Sequence, residues 1–161
     1  MVSKKRILII DDDTTILSAL STLLKEQGHE VDACETGSAG LEKLKGSRYN
    51  LILLDYNLPD MDGLRVAQKI SEMENNEATV VFISAYGTSD VILGAVRLGA
   101  FDFIEKPFHG EQVFSAIDRW CNTNKKAVEK TMAKVKKALP ADNDVLEKVR
   151  KALTADLHLV P

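Results

Sequence analysis

The sequence predicts an α/β protein: a doubly wound, five-stranded parallel sheet in the order 2-1-3-4-5, followed by a C-terminal helical extension. Three observations carry this. Short strand-like runs alternate with amphipathic helical stretches through residue 122, as in consecutive βα units. Three runs, 7–10, 51–54 and 80–83, are continuously apolar, as strands buried on both faces are. Glu30-Val31-Asp32-Ala33-Cys34 and Phe101-Asp102-Phe103-Ile104 alternate instead, as edge strands do. Two of the continuous runs also end in carboxylates, and open α/β sheets collect their chemistry beyond the carboxyl ends of the strands.

In chain order, the first strand is expected at 6–10, running into Asp11-Asp12-Asp13, with Asp13 as N-cap of a helix over 14–27. Gly28 closes that helix, and a second strand follows at 30–34. A helix over 37–45 leads to a strand at 50–54, which runs into Asp55. Leu58-Pro59-Asp60-Met61-Asp62-Gly63 then supplies a turn and the start of a helix over 63–72. The fourth strand is expected at 79–83 and its helix at 88–98, closed by Gly99. The fifth strand, 101–104, and a helix over 111–121 complete the pattern. The alternating second and fifth strands belong at the edges. The order 2-1-3-4-5 meets this and puts the switch point between strands one and three.

Composition bounds the rest. Of 161 residues, 45% are hydrophobic and 28% charged, which is globular rather than disordered. No apolar stretch approaches the roughly 20 residues of a membrane span, and the basic start Met1–Arg6 lacks the apolar core of a signal peptide. The expectation is a cytoplasmic protein without membrane contact. Cys34 and Cys121 stand in no metal or redox spacing and are expected as buried, reduced thiols. His29, His109 and His158 are expected in loops or at the surface. Residues 1–122 carry 12 basic and 19 acidic residues, against 9 and 5 in residues 123–161. The acidic front part argues against nucleic acid as its partner. The shift near Asn122-Thr123-Asn124 marks a boundary between a domain at 1–122 and a tail at 123–161.

If strands one and three are neighbours, Asp11, Asp12 and Asp55 converge. Clustered carboxylates repel one another, and a hard divalent cation such as Mg²⁺ both takes oxygen ligands and pairs with phosphate.

Four segments, on the expected strand ends and in this order, resemble the receiver domains of bacterial two-component response regulators, including chemotaxis-regulator-like proteins. They are Ile9–Asp13, Leu53–Gly63 (Leu-Leu-Asp-Tyr-Asn-Leu-Pro-Asp-Met-Asp-Gly), Val81–Tyr86 and Gly99–Phe108 with its Lys106-Pro107. The resemblance covers about residues 5–122 and implies a flavodoxin-like fold. It implies that Asp55 is the phosphoacceptor, attacking the phosphohistidine of a sensor histidine kinase or phosphotransfer protein to give an acyl phosphate. It implies Mg²⁺ held by Asp12 directly, by Asp11 mainly through water, by Asp55 and by the Asn57 carbonyl. Lys106 would reach the phosphoryl oxygens, with Pro107 in a cis bond. Ser84 would donate its hydroxyl to the phosphoryl group, and Phe103, where many relatives carry Tyr, would follow into the vacated space. The face around helix four, strand five and helix five would thereby switch contacts with a downstream output domain or protein. Asn57 and Tyr86 would modulate the lifetime. Such a protein catalyses only its own phosphorylation and dephosphorylation.

Two other classes compete. Haloacid dehalogenase-like phosphatases also use a nucleophilic Asp after an apolar strand with Mg²⁺. They need a second Asp two residues on, where this chain has Asn57, and a cap domain. A receiver-like module that binds partners without phosphorylation is expected to lack aspartates or the lysine, all of which are present here. In the tail, Val128, Met132, Val135 and Leu139 form one apolar stripe on a lysine-rich helix over 123–139. Leu139-Pro140-Ala141-Asp142 breaks it, and Val145, Val149 and Leu153 line a second helix from about Asp144 to Leu153. The stripe calls for a surface: the domain's own flank, or a second chain in a weak homodimer. The tail reads equally as the start of an output region, so a single-domain regulator and a fragment of a longer one both stay open.

Overall fold

A computed structural model describes residues 4–74, 76–85 and 87–138, together with 147–148 and 151. The strands are β1 (Arg6–Ile10), β2 (Glu30–Cys34), β3 (Leu51–Leu54), β4 (Thr79–Ser84) and β5 (Asp102–Glu105). They form one parallel sheet in the order β2-β1-β3-β4-β5, as expected. Between and after them run α1 (Thr14–Glu26), α2 (Gly37–Gly46), α3 (Gly63–Ser71), α4 (Ser89–Arg97) and α5 (Gly110–Ala138).

Strand texture fixes the order because a central strand is covered on both faces. Ile7, Leu8, Ile9 and Ile10 of β1 and all four residues of β3 are buried, whereas β2 and β5 leave charged side chains to solvent. Successive side chains point to opposite faces, and the core divides accordingly. Ile7, Ile9, Leu51, Leu53, Val81 and Ile83 pack against α1 and α5 with Leu20, Ile117 and Trp120. Leu8, Ile10, Ile52, Leu54 and Phe82 pack against α2 and α3 with Val66 and Ile70. Each such side chain contributes about 1.5–3 kcal/mol on burial.

Helix ends follow the local chemistry. Asp13 caps α1 by accepting from the amides of Thr15 (2.9 Å) and Ile16 (3.3 Å). Asp62 caps α3 through the Arg65 amide, 2.8 Å. Gly28 and Gly99, just past α1 and α4, adopt φ of +92° and +80°, a left-handed conformation that only glycine takes at little cost.

The structure sharpens the expectation in two places. The helices expected over 111–121 and 123–139 run together as one 29-residue helix, α5, through Ala138. Asn122-Thr123-Asn124 contains neither Pro nor Gly, and mid-ranking residues cost only tenths of a kcal/mol each, too little to end a helix. The Thr123 hydroxyl donates to the Arg119 carbonyl (2.8 Å), spending its polarity within the helix. The side chains of the expected stripe, Val128 to Leu139, lie outside the described residues, as do Val145, Val149 and Leu153. Second, His29 lies in the loop between α1 and β2, as expected, but is buried there, 6% exposed, with its Nδ1 accepting the Lys5 amide at 3.0 Å. His109 is exposed as expected, and His158 lies outside the described residues. Of the thiols, Cys34 is buried and Cys121 half-buried, both unbridged. Burial pushes the Cys34 thiol up to about 11, so it stays protonated and inert near neutral pH.

Candidate functional site: an acidic pocket at the switch point

Strands β1 and β3 pair in register, Ile10 opposite Leu54, so Asp11 and Asp55 leave the sheet side by side. Backbone bonds hold both exits: the Asp11 amide donates to the Cys34 carbonyl (3.1 Å), and the Asp55 amide to the Ile10 carbonyl (2.9 Å). Asp11 and Asp55 are buried, 2% and 5% exposed, while Asp12 stands at the rim. The three carboxylates each place an oxygen within 4.8 Å of the others.

Lys106 enters from the end of β5. Its ammonium lies 2.8 Å from Asp11 Oδ2 and 3.1 Å from Asp55 Oδ2. Its amide donates to the Ser84 carbonyl (2.9 Å), and the following Pro107 is joined by a cis bond, as the resemblance implies. One cation is thus divided between two buried carboxylates. Burial holds the Asp11 carboxyl above its ordinary range, Asp55 adding to the effect and the bonds from Lys106 and the Asp13 amide opposing it. Burial would lower the Lys106 ammonium, but hydrogen bonds and charge from Asp11 and Asp55 outweigh it and raise the group. The pocket therefore keeps an excess of negative charge on hard oxygen donors. That donor set fits a divalent cation such as Mg²⁺.

The flanking loop, residues 56–62, is closed at its base. The Gly63 amide donates to the Tyr56 carbonyl (2.6 Å), and Asn57 bridges to Asp62. The Asn57 amide donates to Asp55 Oδ1 (3.3 Å), so this loop also orients the central carboxylate. Gly63 is required by close approach: a Cβ there would lie 2.5 Å from the Asp55 carbonyl oxygen and 2.7 Å from Tyr56 Cα.

The expected site residues are therefore largely brought together. Asp11, Asp12, Asp55, Asn57 and Lys106 surround one pocket, with Ser84 fully buried at the end of β4. Phe103 is half-buried and stacks on Phe82, centroids 6.1 Å apart and planes 16° from parallel. Tyr86 lies outside the described residues. Sequence reasoning assigned Asp60 only to a turn. In the structure its carboxylate accepts from the amides of Gly37 and Ser38 and from the Ser38 hydroxyl, a contact between residues 22 and 23 positions apart that no local signal announces. Among the described residues no helix is long and apolar enough to cross a membrane.

A family model for the response regulator receiver domain matches residues 7–118. The chemotaxis protein CheY of Bacillus subtilis (strain 168) is 34% identical over 118 residues, covering 73% of this chain and 98% of that protein. Response regulator protein TodT of Pseudomonas putida is 34% identical over 111 residues, 69% of this chain but 48% of its own length. The chain thus spans nearly all of one relative and about half of the other. Among solved structures, a CheY-like receiver domain protein from Methanospirillum hungatei JF-1 has a TM-score of 0.73 at 30% identity, covering 78% of this chain and 99% of that one. NtrX from Brucella abortus, in complex with ADP, has a TM-score of 0.71 at 29% identity, covering 81% of this chain and 30% of that one. An acidic pocket at the switch point of a 2-1-3-4-5 sheet, a lysine reaching into it from the last strand, and these matches lead to one conclusion: the chain belongs to the response regulator receiver domain family of two-component signalling.

Proposed function

We propose that the chain is a phosphoacceptor response regulator in which Asp55 takes a phosphoryl group from the phosphohistidine of a sensor histidine kinase or phosphotransfer protein. The observation that carries this reading is Asp55 itself, a buried carboxylate at a strand end whose charge is shared with Asp11 through the single ammonium of Lys106. An oxygen of Asp55 bonds to phosphorus as the phosphorus–nitrogen bond breaks, and the imidazole keeps the electron pair and takes up a proton. The nucleophile is anionic, and its second oxygen is aimed by the Asn57 amide. Lys106 stands ready to exchange its carboxylate contacts for the arriving phosphoryl oxygens. Asp11, Asp12, Asp55 and the Asn57 carbonyl would hold Mg²⁺, which when bound offsets the crowding of negative charge between nucleophile and phosphoryl group.

Ser84, buried beside the Lys106 backbone, would turn its hydroxyl to the new phosphoryl group, with Phe103 following. The readout would be a changed surface around α4, β5 and α5, offered to an output domain or protein. Asn57 and Tyr86 would set how long the acyl phosphate lasts. The chain acts on no substrate beyond this phosphoryl group. Its place of action is the cytoplasm, where a kinase's phosphohistidine is available.

The test is intact-mass measurement after incubation with Mg²⁺ and acetyl phosphate. One acid-stable, base-labile phosphoryl group is expected on the wild type and none on Asp55→Asn. An undiminished adduct in that variant would exclude Asp55 as acceptor. A wild type that is never modified would leave a receiver-like interaction module instead.

A further inference from the structure

Asp60 sits on the β3–α3 loop that flanks the acidic pocket, touches none of the pocket's carboxylates, and connects that loop to the start of α2. Its Oδ1 accepts the Gly37 amide at 2.9 Å, and its Oδ2 accepts the Ser38 amide at 2.8 Å and the Ser38 hydroxyl at 2.6 Å. Helix α2 begins at these residues. The hydroxyl of its own N-cap, Thr36, takes the Ala39 amide, 3.1 Å, and the Thr36 carbonyl the Gly40 amide. The first two amides of α2, which have no partner within the helix, are therefore satisfied from the tip of the β3–α3 loop. The junction is tight: a Cβ on Gly37 would lie 2.7 Å from Val66 Cγ2 and 2.9 Å from Met61 Cγ.

The loop so held is the one that carries Asn57. At its base the Gly63 amide and the Asn57–Asp62 bridge close it. At its tip Asp60 ties it to α2, which follows directly on β2, where the Cys34 carbonyl holds the Asp11 amide. Without the tip contact, the loop keeps its base and the packing of Leu58 and Met61 against the core, but nothing from Asp60 ties it to α2, and this is the loop whose Asn57 orients the Asp55 carboxylate.

We infer that Asp60 is a positioning residue for phosphoryl acceptance, tethering the β3–α3 loop to the start of α2 so that Asn57 and Asp55 keep their reactive geometry. The inference rests on the reading of Asp55 as phosphoacceptor. It concerns a residue that touches neither the phosphoryl group nor the pocket's carboxylates.

Three variants of the full chain test it. Asp60→Ala removes the tether and a charge. Asp60→Asn removes the same charge but keeps one acceptor. Thr36→Ala removes a cap from the same helix and leaves the loop tied. Phosphorylation by acetyl phosphate at saturating Mg²⁺ is followed by intact mass, and hydrogen exchange is followed at the amides of residues 56–62. The expectation is a phosphorylation rate at least about fivefold lower for Asp60→Ala, an intermediate rate for Asp60→Asn, and a rate within about twofold of wild type for Thr36→Ala, since a factor of 5 needs only ~1 kcal/mol of transition-state stabilisation. Exchange in the loop should rise for Asp60→Ala and not for Thr36→Ala. Should Asp60→Ala fail to fold, the comparison of Asp60→Asn with Thr36→Ala decides in the same way. Equal rates in the Asp60 and Thr36 variants, or an unchanged loop exchange, would overturn the tether while leaving Asp55 as acceptor. A wild type that takes no phosphoryl group would overturn both.

Discussion

Asp12 is the exposed member of the acidic cluster, and exposure sets it apart from its neighbours. Asp11 and Asp55 already share Lys106, so the carboxylate with most freedom to turn toward an incoming cation is that of Asp12. Asp12→Ala should weaken Mg²⁺ binding by about tenfold or more, roughly 1.4 kcal/mol, with thermal stability in metal-free buffer little changed. Titration with Mg²⁺ monitored by calorimetry checks this. His29 makes a prediction of a different kind. Burial lowers its imidazole, the Lys5 charge lowers it further, and Asp118 opposes both. In the folded chain Nδ1 must stay unprotonated to accept the Lys5 amide. The unfolded chain therefore binds this proton more readily. The contribution of His29 to stability is complete above its ordinary value of 6.5 and is lost as pH falls from there through the depressed folded value. Urea midpoints measured between pH 7.5 and pH 5, values chosen to bracket roughly the ordinary histidine range, should fall toward acid. His29→Asn, which keeps an acceptor but does not titrate, should flatten that slope, and an unaltered slope would assign it elsewhere.

At the level of elements, β3, its following loop and α3 behave as one unit. The strand is legible as an apolar run, and the helix start as Asp62-Gly63. What holds the unit together is the approach of the Gly63 backbone to that of Asp55 and Tyr56. Backbone atoms cannot yield as a flexible side chain does. Gly63→Ala should therefore cost about 1–3 kcal/mol, the range of overpacking. It should also slow phosphorylation of Asp55, because the displaced atoms belong to the acceptor residue. Denaturant unfolding and the acetyl phosphate assay, run on one preparation, should show both losses. A loss of stability with an unchanged rate would mean that the helix gives way and the strand end does not. Helix α5 shows the opposite case, two expected helices, 111–121 and 123–139, that the structure joins into one. The change in charge near 122 marks a compositional boundary, but composition does not stop a hydrogen-bond ladder.

For the whole molecule, the question is where the independent folding unit ends. Among the described side chains of α5, Trp120 is the last that is buried, 3% exposed; Cys121 packs against the same core half-buried, and the described ones beyond it are exposed. The match to the family ends at residue 118. Truncation after Thr123 should leave a domain that folds cooperatively and still takes a phosphoryl group, with a melting temperature within about 4 °C of the full chain, the shift expected from ~1 kcal/mol in a domain between the small and the mid-sized range. Calorimetry and intact mass check this. If the shortened chain does not fold, the continuation of α5 is part of the core, and the boundary at 122 has to move toward residue 138.

Strand order, the edge positions of β2 and β5, the caps at Asp13, Gly28 and Gly99, and the meeting of Asp11 with Asp55 were all legible in the chain. Each follows from local pattern: whether a strand is apolar on one face or two, and which residue sits next to a helix end. Residue texture is enough because it reports how many sides of an element are covered. Burial of His29 against the Lys5 amide, the sharing of Lys106 between two carboxylates, the stacking of Phe103 on Phe82 and the hold of Asp60 on α2 were not legible. These are contacts between side chains or amides separated by 21 to 95 positions, and a hydrogen bond needs its partner within about 3 Å along a set direction. Periodicity places an element to within a turn. Only the packed structure brings donor and acceptor to that distance.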